Sequence, residues 1–162
     1  MTPFPKDNMA AKIKFYGDPR GPHGVNEKWF ANNIVRVKPP FKMYYAGKPI
    51  SSIAFHKRAA EELRQALGGI WDHCERDQAI IDRLNLSEYG GSFAYRLIRG
   101  STNLSNHSFG IAIDIMPTGN ELGKIKGAMP QFAVDSFKSA GFKWGGDYKG
   151  RKDPMHFEAV SS

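Results

Sequence analysis

Hydrophobic and polar residues alternate in several short stretches of the second half of the chain, and this pattern predicts strands. The clearest stretches are residues 93–99, 111–115 and 155–160. In the middle stretch the isoleucines share one face, while Ala112 and Asp114 occupy the other. Earlier in the chain, Ile34–Val37 predicts a short strand, and residues 43–50 predict two extended segments around a turn at Gly47.

A different period, with apolar residues at every third or fourth position, predicts the longest helix after residue 50. Ser51 or Ser52 is suited to cap its beginning. Its apolar face consists of Phe55, Ala59, Leu63, Ala66, Leu67 and Ile70. We expect the helix to end near the glycine pair 68–69, or to continue with a kink towards Cys74.

Shorter helices are predicted over residues 77–84 and 130–140. Loops and turns are predicted at residues 17–24, 101–110, 117–120 and 143–154. Together these elements predict an α+β fold with a small, mainly antiparallel sheet flanked by helices. Residues 1–50 are expected to form an arm packed on a core of residues 51–162, within a single globular domain.

Composition limits the classes of protein that fit. The chain has 162 residues, of which 41% are hydrophobic, and one cysteine, which excludes an internal disulfide and a zinc site of paired cysteines. A net charge of +7 favours an anionic partner, but the charge is scattered and equally fits a solvated basic surface. No nucleic-acid-binding motif is present. No apolar run reaches about 18 residues, so we expect no membrane insertion.

Two segments carry candidate chemistry. The first, SNHSFGIAID, places His107 in a polar loop just before a strand that carries Asp114 beside the small Ala112. An imidazole and a carboxylate are suitable zinc ligands, although a histidine and an aspartate that simply hydrogen-bond each other fit as well. The second, DPMHFE, places Asp153 in a loop ahead of His156, and so offers a third ligand and a general base.

Together the two segments follow the arrangement S-x-H-x-x-G-x-A-x-D, with a carboxylate three residues before a second histidine. This arrangement resembles the zinc D-Ala-D-Ala peptidases, which include VanY-type D,D-carboxypeptidases, VanX-type dipeptidases and the L-alanyl-D-glutamate endopeptidases of phage lysis. The resemblance covers residues 95–158 well. It implies a fold of the hedgehog/DD-peptidase kind.

The resemblance also implies roles for individual residues. It makes His107, Asp114 and His156 the ligands of one Zn²⁺ ion per chain, and Asp153 the general base that activates water. Many relatives have glutamate at the position of Asp153, whereas an endolysin-like branch has aspartate, which favours that branch. The arginine that stabilises the oxyanion aligns best with Arg96. Arg99 is the alternative for that role.

Several further side chains are candidates for contact with the substrate or support of the site. Ser105 belongs to the first motif, and Glu158 shares a strand face with His156, where it is suited to orient the imidazole. Trp144 and Tyr148 lie on the glycine-rich loop before Asp153 and fit either a cleft wall or the apolar core. The remaining histidines are His23, His56 and His73, and no ligand-like spacing links them.

These observations favour a zinc-dependent peptidase of bacterial peptidoglycan, most specifically an L-alanyl-D-glutamate endopeptidase of the endolysin type. The alternatives are a D-alanyl-D-alanine carboxypeptidase and a non-catalytic zinc-binding module like the hedgehog signalling domain. No signal peptide is visible, so we expect synthesis in the cytoplasm and action on the cell wall or host periplasm. We also expect a monomer.

Overall fold

The computed structural model describes residues 3–162, in which five helices are joined by short strands and turns. The helices are α1 Met9–Tyr16, α2 Glu27–Asn33, α3 Ala60–His73, α4 Gln78–Arg83 and α5 Gln131–Ser139. The strands are β1 Arg20–Gly21, β2 Gly24–Val25, β3 Ile34–Val37, β4 Tyr44–Tyr45, β5 Lys48–Pro49, β6 Ile53–His56, β7 Tyr89–Gly91, β8 Ala112–Ile115, β9 Lys143–Trp144 and β10 His156–Glu158. No helix among these residues is both long and apolar enough to cross a bilayer.

The largest sheet has four antiparallel strands in the order β7-β8-β10-β9, and three pairs of short strands lie outside it. Helices α3 and α5 pack against each other, and their apolar faces are buried together with Ile111, Ile113 and Phe157 of the sheet. The predicted α+β class is therefore confirmed. The predicted strand Ile34–Val37 appears with the same bounds, and those at 111–115 and 155–160 appear in shortened form.

The N-terminal region contributes buried residues to the same core, including Tyr16, Val37 and Met43. It also lies against the last residues of the chain, because the backbone N–H of Ser161 donates to the carbonyl of Pro5 over 2.8 Å. The division into an arm of residues 1–50 and a core of residues 51–162 stays a prediction.

The predicted beginning of the longest helix is wrong. Residues 53–56 form strand β6, which pairs with β3 so that Ile34 lies opposite His56, and the helix begins only at Ala60. The pairing with β3, which the helical period does not reveal, overrides the local pattern. The helix continues through the glycine pair 68–69 to His73. A Cβ atom at Gly69 would lie against Ser136 of α5, so glycine permits this close helix contact.

The predicted strand over residues 93–99 is also wrong. This segment is extended, but it lies against the turn of Ser105 and Ser108 instead of a neighbouring strand, with an isolated bridge at Leu97. The edge strand is instead β7 at Tyr89–Gly91. Two predicted loops contain short paired segments, namely the β1-β2 hairpin and strand β9.

Buried His56 makes the stability of the fold sensitive to acid. Its Nε2 atom donates to the carbonyl of Tyr16 over 2.9 Å, and its Nδ1 atom accepts from the backbone N–H of Arg58 over 3.1 Å. The neutral imidazole is therefore satisfied and has no place for a second proton. Burial lowers the pKa of His56 from 6.5 to about 4, although its hydrogen bond to Tyr16 opposes this shift.

Between pH 6.5 and about 4 the unfolded chain therefore binds a proton at His56 that the folded chain does not. We expect this residue to reduce the free energy of unfolding by about 1.4 kcal/mol per pH unit as the pH falls through that window. The variant His56→Phe should show a correspondingly flatter dependence in urea unfolding between pH 7 and 4. The matched control His23→Gln, at an exposed histidine, should keep the wild-type slope, and equal slopes in all three proteins would contradict the prediction.

Candidate metal centre

A buried turn brings the first histidine into position. The 3₁₀ helix Asn106–Phe109 is capped by Ser105, whose side chain accepts the backbone N–H of His107. It ends at Gly110, whose φ of +69° is readily adopted by glycine and whose Cβ would meet Ile34 at 2.5 Å. The Nδ1 atom of His107 lies 2.6 Å from the carbonyl of Ser92 and donates to it. In the neutral imidazole this leaves the lone pair on Nε2, the nitrogen that would bind a metal.

Strand pairing places the other two side chains beside His107. Asp114 on β8 lies directly opposite His156 on β10, so both project from the same face of the sheet. Asp114 Oδ2 is 3.3 Å from His107 Nε2, and Asp114 Oδ1 is 3.0 Å from His156 Nδ1. The three donor atoms lie within 4.8 Å of one another, close enough for one metal ion. The structure thus brings together the three residues predicted as metal ligands.

The charges in this cluster are strongly coupled. Burial alone raises the pKa of Asp114, but hydrogen bonds with His107 and His156 outweigh it and hold this pKa well below its usual range. Burial likewise lowers the pKa of His156, yet hydrogen bonds with Asp114 and Glu158 raise it to about 10. The ionised carboxylates of Asp114 and Glu158 therefore give the site a negative electrostatic potential, which favours the binding of a cation.

Asp153 lies at the edge of the cluster, with Oδ2 3.9 Å from His156 Nδ1. Its loop is held against Gly145, whose carbonyl accepts the backbone N–H of Asp153 over 2.9 Å and where a Cβ would collide with that loop. Burial raises the pKa of Asp153; attraction to His156 opposes this shift, and repulsion from Asp114 adds to it. Its Oδ1 atom is buried without a hydrogen-bond partner among the described residues. Such an unsatisfied atom beside two imidazoles and a carboxylate fits a site built around a metal ion and its water.

Two clefts meet at this cluster. One, of about 810 Å³, is lined by the arginines Arg96, Arg99 and Arg151, by exposed aliphatic side chains and by Asp153. The other, of about 470 Å³, is lined by aromatic and small residues that include Tyr45 and Phe93. Arg96, His107 and Asp114 line both clefts. The candidate metal site therefore borders both clefts.

Of the remaining predicted residues, some line the larger cleft and others pack behind the candidate metal ligands. Ser105 and Arg99 line the larger cleft. Glu158 is buried and lies 3.1 Å from His156 Nε2, and Tyr148 donates its hydroxyl to Glu158 over 2.6 Å. Trp144 stacks on buried Phe157 and donates its indole N–H to the carbonyl of Pro154, and it lines neither cleft.

Sequence reasoning missed Arg151, Asn106 and Lys12. Arg151 lines the cleft from a loop that carries no motif of its own. Asn106 is part of the first motif but occupies one of its variable positions. Lys12 is in the N-terminal helix, 94 residues from the asparagine that it contacts, and no local pattern reveals such a contact. Its burial, at 4% exposure, is the structural signal that marks it.

The His107-Asp114-His156 cluster could hold one metal ion in an open cleft, and together with a family match it makes the protein a metallopeptidase. Comparison with known families makes the assignment specific: residues 99–159 match the family model described as D-alanyl-D-alanine carboxypeptidase. Residues 99–159 are thus similar to the zinc D-Ala-D-Ala peptidases, the family that the sequence motifs resemble. No solved structure gives a significant match, so the hedgehog-like fold stays a prediction.

Proposed function

We propose that the chain is an endopeptidase of peptidoglycan stem peptides that cuts the L-alanyl-D-glutamate bond. In this proposal His107, Asp114 and His156 hold one zinc ion. Zinc in such a site polarises the scissile carbonyl and lowers the pKa of a bound water to about 7. The donor set and the unsatisfied Oδ1 atom of Asp153 support this assignment.

The side chains around the cluster supply the rest of the chemistry. Asp153 takes a proton from the attacking water at its carboxylate and passes it to the leaving amine. Its raised pKa suits this exchange, because a base that is too weakly basic cannot hold the proton. The guanidinium of Arg96 carries a fixed positive charge and stabilises the oxyanion that develops at the carbonyl. Arg99, which lines the same cleft, is the alternative for this role.

The two clefts that border the cluster are the observation that favours an endopeptidase over a carboxypeptidase. An endopeptidase has to bind residues on both sides of the bond that it cuts, whereas a carboxypeptidase needs space for a single terminal residue on one side. Here Arg96, His107 and Asp114 line two clefts, so the space around the cluster exceeds that of one terminal pocket. The geometry therefore favours a bond inside the peptide over its last bond.

The charge of the larger cleft matches the same substrate. Arg96, Arg99 and Arg151 line it, and none of them forms an ion pair with a carboxylate in residues 3–162. After the L-alanyl-D-glutamate bond, the stem peptide continues with a glutamate that keeps a free carboxylate. Arginines bind carboxylates through paired hydrogen bonds. We assign the arginine-lined cleft to the part of the peptide that follows the scissile bond. The net charge of +7 would favour approach to an anionic cell wall.

The second candidate is a D-alanyl-D-alanine carboxypeptidase, because the matching family model carries that description. The two activities leave different new termini. Cleavage of purified bacterial sacculi followed by mass spectrometry of the released fragments therefore separates them.

We expect new N-terminal D-glutamate, produced only when zinc is present and lost with a zinc chelator. Release of free D-alanine without new D-glutamate termini would show that the protein is a carboxypeptidase and not an endopeptidase. If no sacculus of any wall type yields fragments while the protein holds one zinc per chain, the chain is a non-catalytic zinc-binding module.

A further inference from the structure

A buried chain of polar side chains connects the N-terminal helix to the metal centre. The ammonium of Lys12 in α1 is 2.7 Å from Asn106 Oδ1 and 3.0 Å from Asp7 Oδ1. Asn106 Nδ2 then lies 3.2 Å from Glu158 Oε1, which in turn lies 3.1 Å from His156 Nε2. The links from Lys12 to Asn106, from Asn106 to Glu158 and from Glu158 to His156 are buried, so losing one leaves its neighbours unsatisfied.

The chemistry of each link fixes the orientation of the next. An ammonium only donates hydrogen bonds, so Lys12 holds Asn106 with its carbonyl oxygen towards α1 and its NH₂ group towards Glu158. Glu158 then receives this donor as well as the hydroxyl of Tyr148.

The oriented carboxylate of Glu158 accepts the proton on His156 Nε2. His156 Nδ1 shares its own proton with Asp114, and once a metal displaces that proton, the Nδ1 lone pair lies on the side of Asp114, where the metal would be held.

Other contacts hold α1 in place without Lys12. The hydroxyl of Tyr16 donates to the carbonyl of Ala159, just beyond β10, over 2.7 Å. The backbones of Pro5 and Asp7 both bond to Ser161. A neutral side chain at position 12 is therefore expected to leave the helix attached to β10 and the chain folded.

We propose that Lys12 is a positioning residue of the metal centre, which acts through Asn106 and Glu158 to fix the zinc-binding orientation of His156. This inference depends on the proposed role of His156 as a ligand. It gives the N-terminal helix a function in metal binding, and it makes the zinc affinity depend on a residue that contacts neither metal nor substrate.

The test is the zinc affinity of Lys12→Met, measured by competition with a chromophoric chelator. Outer partners of metal-bound histidines typically change metal affinity 10–100-fold, and we expect a loss of about 10-fold here. Lys14→Met is the matched control, because Lys14 is exposed on the same helix, and it should bind zinc as the wild type does. Cobalt substituted for zinc should show an altered visible absorption spectrum in Lys12→Met alone.

The pathway is tested by combining Lys12→Met with Glu158→Gln. If Lys12 acts through Glu158, the double variant binds zinc about as weakly as Glu158→Gln alone. Independent, additive losses would overturn the proposed pathway.

A merely structural role for Lys12 would lower the melting temperature of the metal-free and zinc-bound forms equally and leave the zinc affinity unchanged, and that result would overturn the proposal. If Lys12→Met does not fold, Asn106→Ala breaks the same connection and is judged by the same measurement. A wild-type protein that binds no zinc would instead refute the proposed function.

Discussion

Replacing Asp153 by alanine should lower kcat about 10³-fold, the typical contribution of a positioned general base, while one zinc ion per chain stays bound. The carboxylate is 3.9 Å from His156 Nδ1 at its closest and is outside the group of three donor atoms that can share one metal ion. Its removal therefore takes away the proton acceptor without opening the metal site. Turnover of a stem-peptide substrate and zinc content by atomic absorption measure the two effects separately.

The matched control for this substitution is Asp147→Ala. Asp147 lies on the same loop but pairs with Lys138 at the surface, 2.6 Å away, so its loss should leave kcat unchanged. Loss of zinc from Asp153→Ala would make Asp153 a ligand and refute its assignment as the base. Near-normal turnover of that variant would show that another group takes the proton.

Replacing Asp114 by alanine is expected to remove both zinc and activity. Asp114 supplies the one carboxylate of the cluster and lies between the two imidazoles, 3.3 Å from His107 and 3.0 Å from His156. Without it the metal keeps two neutral ligands. A metal contributes several kcal/mol of transition-state stabilisation, so its loss corresponds to a fall in turnover of about 10³-fold or more.

Zinc should also stop stabilising the Asp114→Ala variant against heat. A ligand that binds only the folded state stabilises the folded protein. A variant that cannot bind zinc gains no such stabilisation. Differential scanning calorimetry with and without zinc measures the effect, and Asp135→Ala on the exposed face of α5 serves as the control. Stoichiometric zinc in Asp114→Ala would exclude Asp114 as a ligand.

The side chains of the candidate metal centre were predictable because they form one local motif at each of two strands and the turn or loop before it. His107 and Asp114 lie seven residues apart around a glycine turn, and Asp153 and His156 lie three apart. Antiparallel pairing of β8 with β10 then suffices to bring these two segments together. Helices α4 and α5 were predictable for a similar reason, since their caps and apolar positions lie within a few residues of each other.

The errors arose where distant parts of the chain decide the structure. Residues 53–56 have a helical apolar period, but pairing with β3 makes them a strand. Residues 93–99 alternate like a strand, yet the hydroxyl of Ser108 takes the backbone N–H of Arg96 that a neighbouring strand would otherwise take. The buried position of Lys12 follows from a contact across 94 residues.

The attachment of the N-terminal helix to β10 has a consequence for the order of folding. The hydrogen bond from Tyr16 to Ala159 spans 143 residues, and that from Lys12 to Asn106 spans 94. Closing such long loops costs entropy before any favourable contact forms, so we expect these connections to form late in folding. The surroundings of His156 are then incomplete in the folding transition state. We therefore expect zinc to act mainly by slowing the unfolding of the finished protein, with little effect on the rate at which the chain folds.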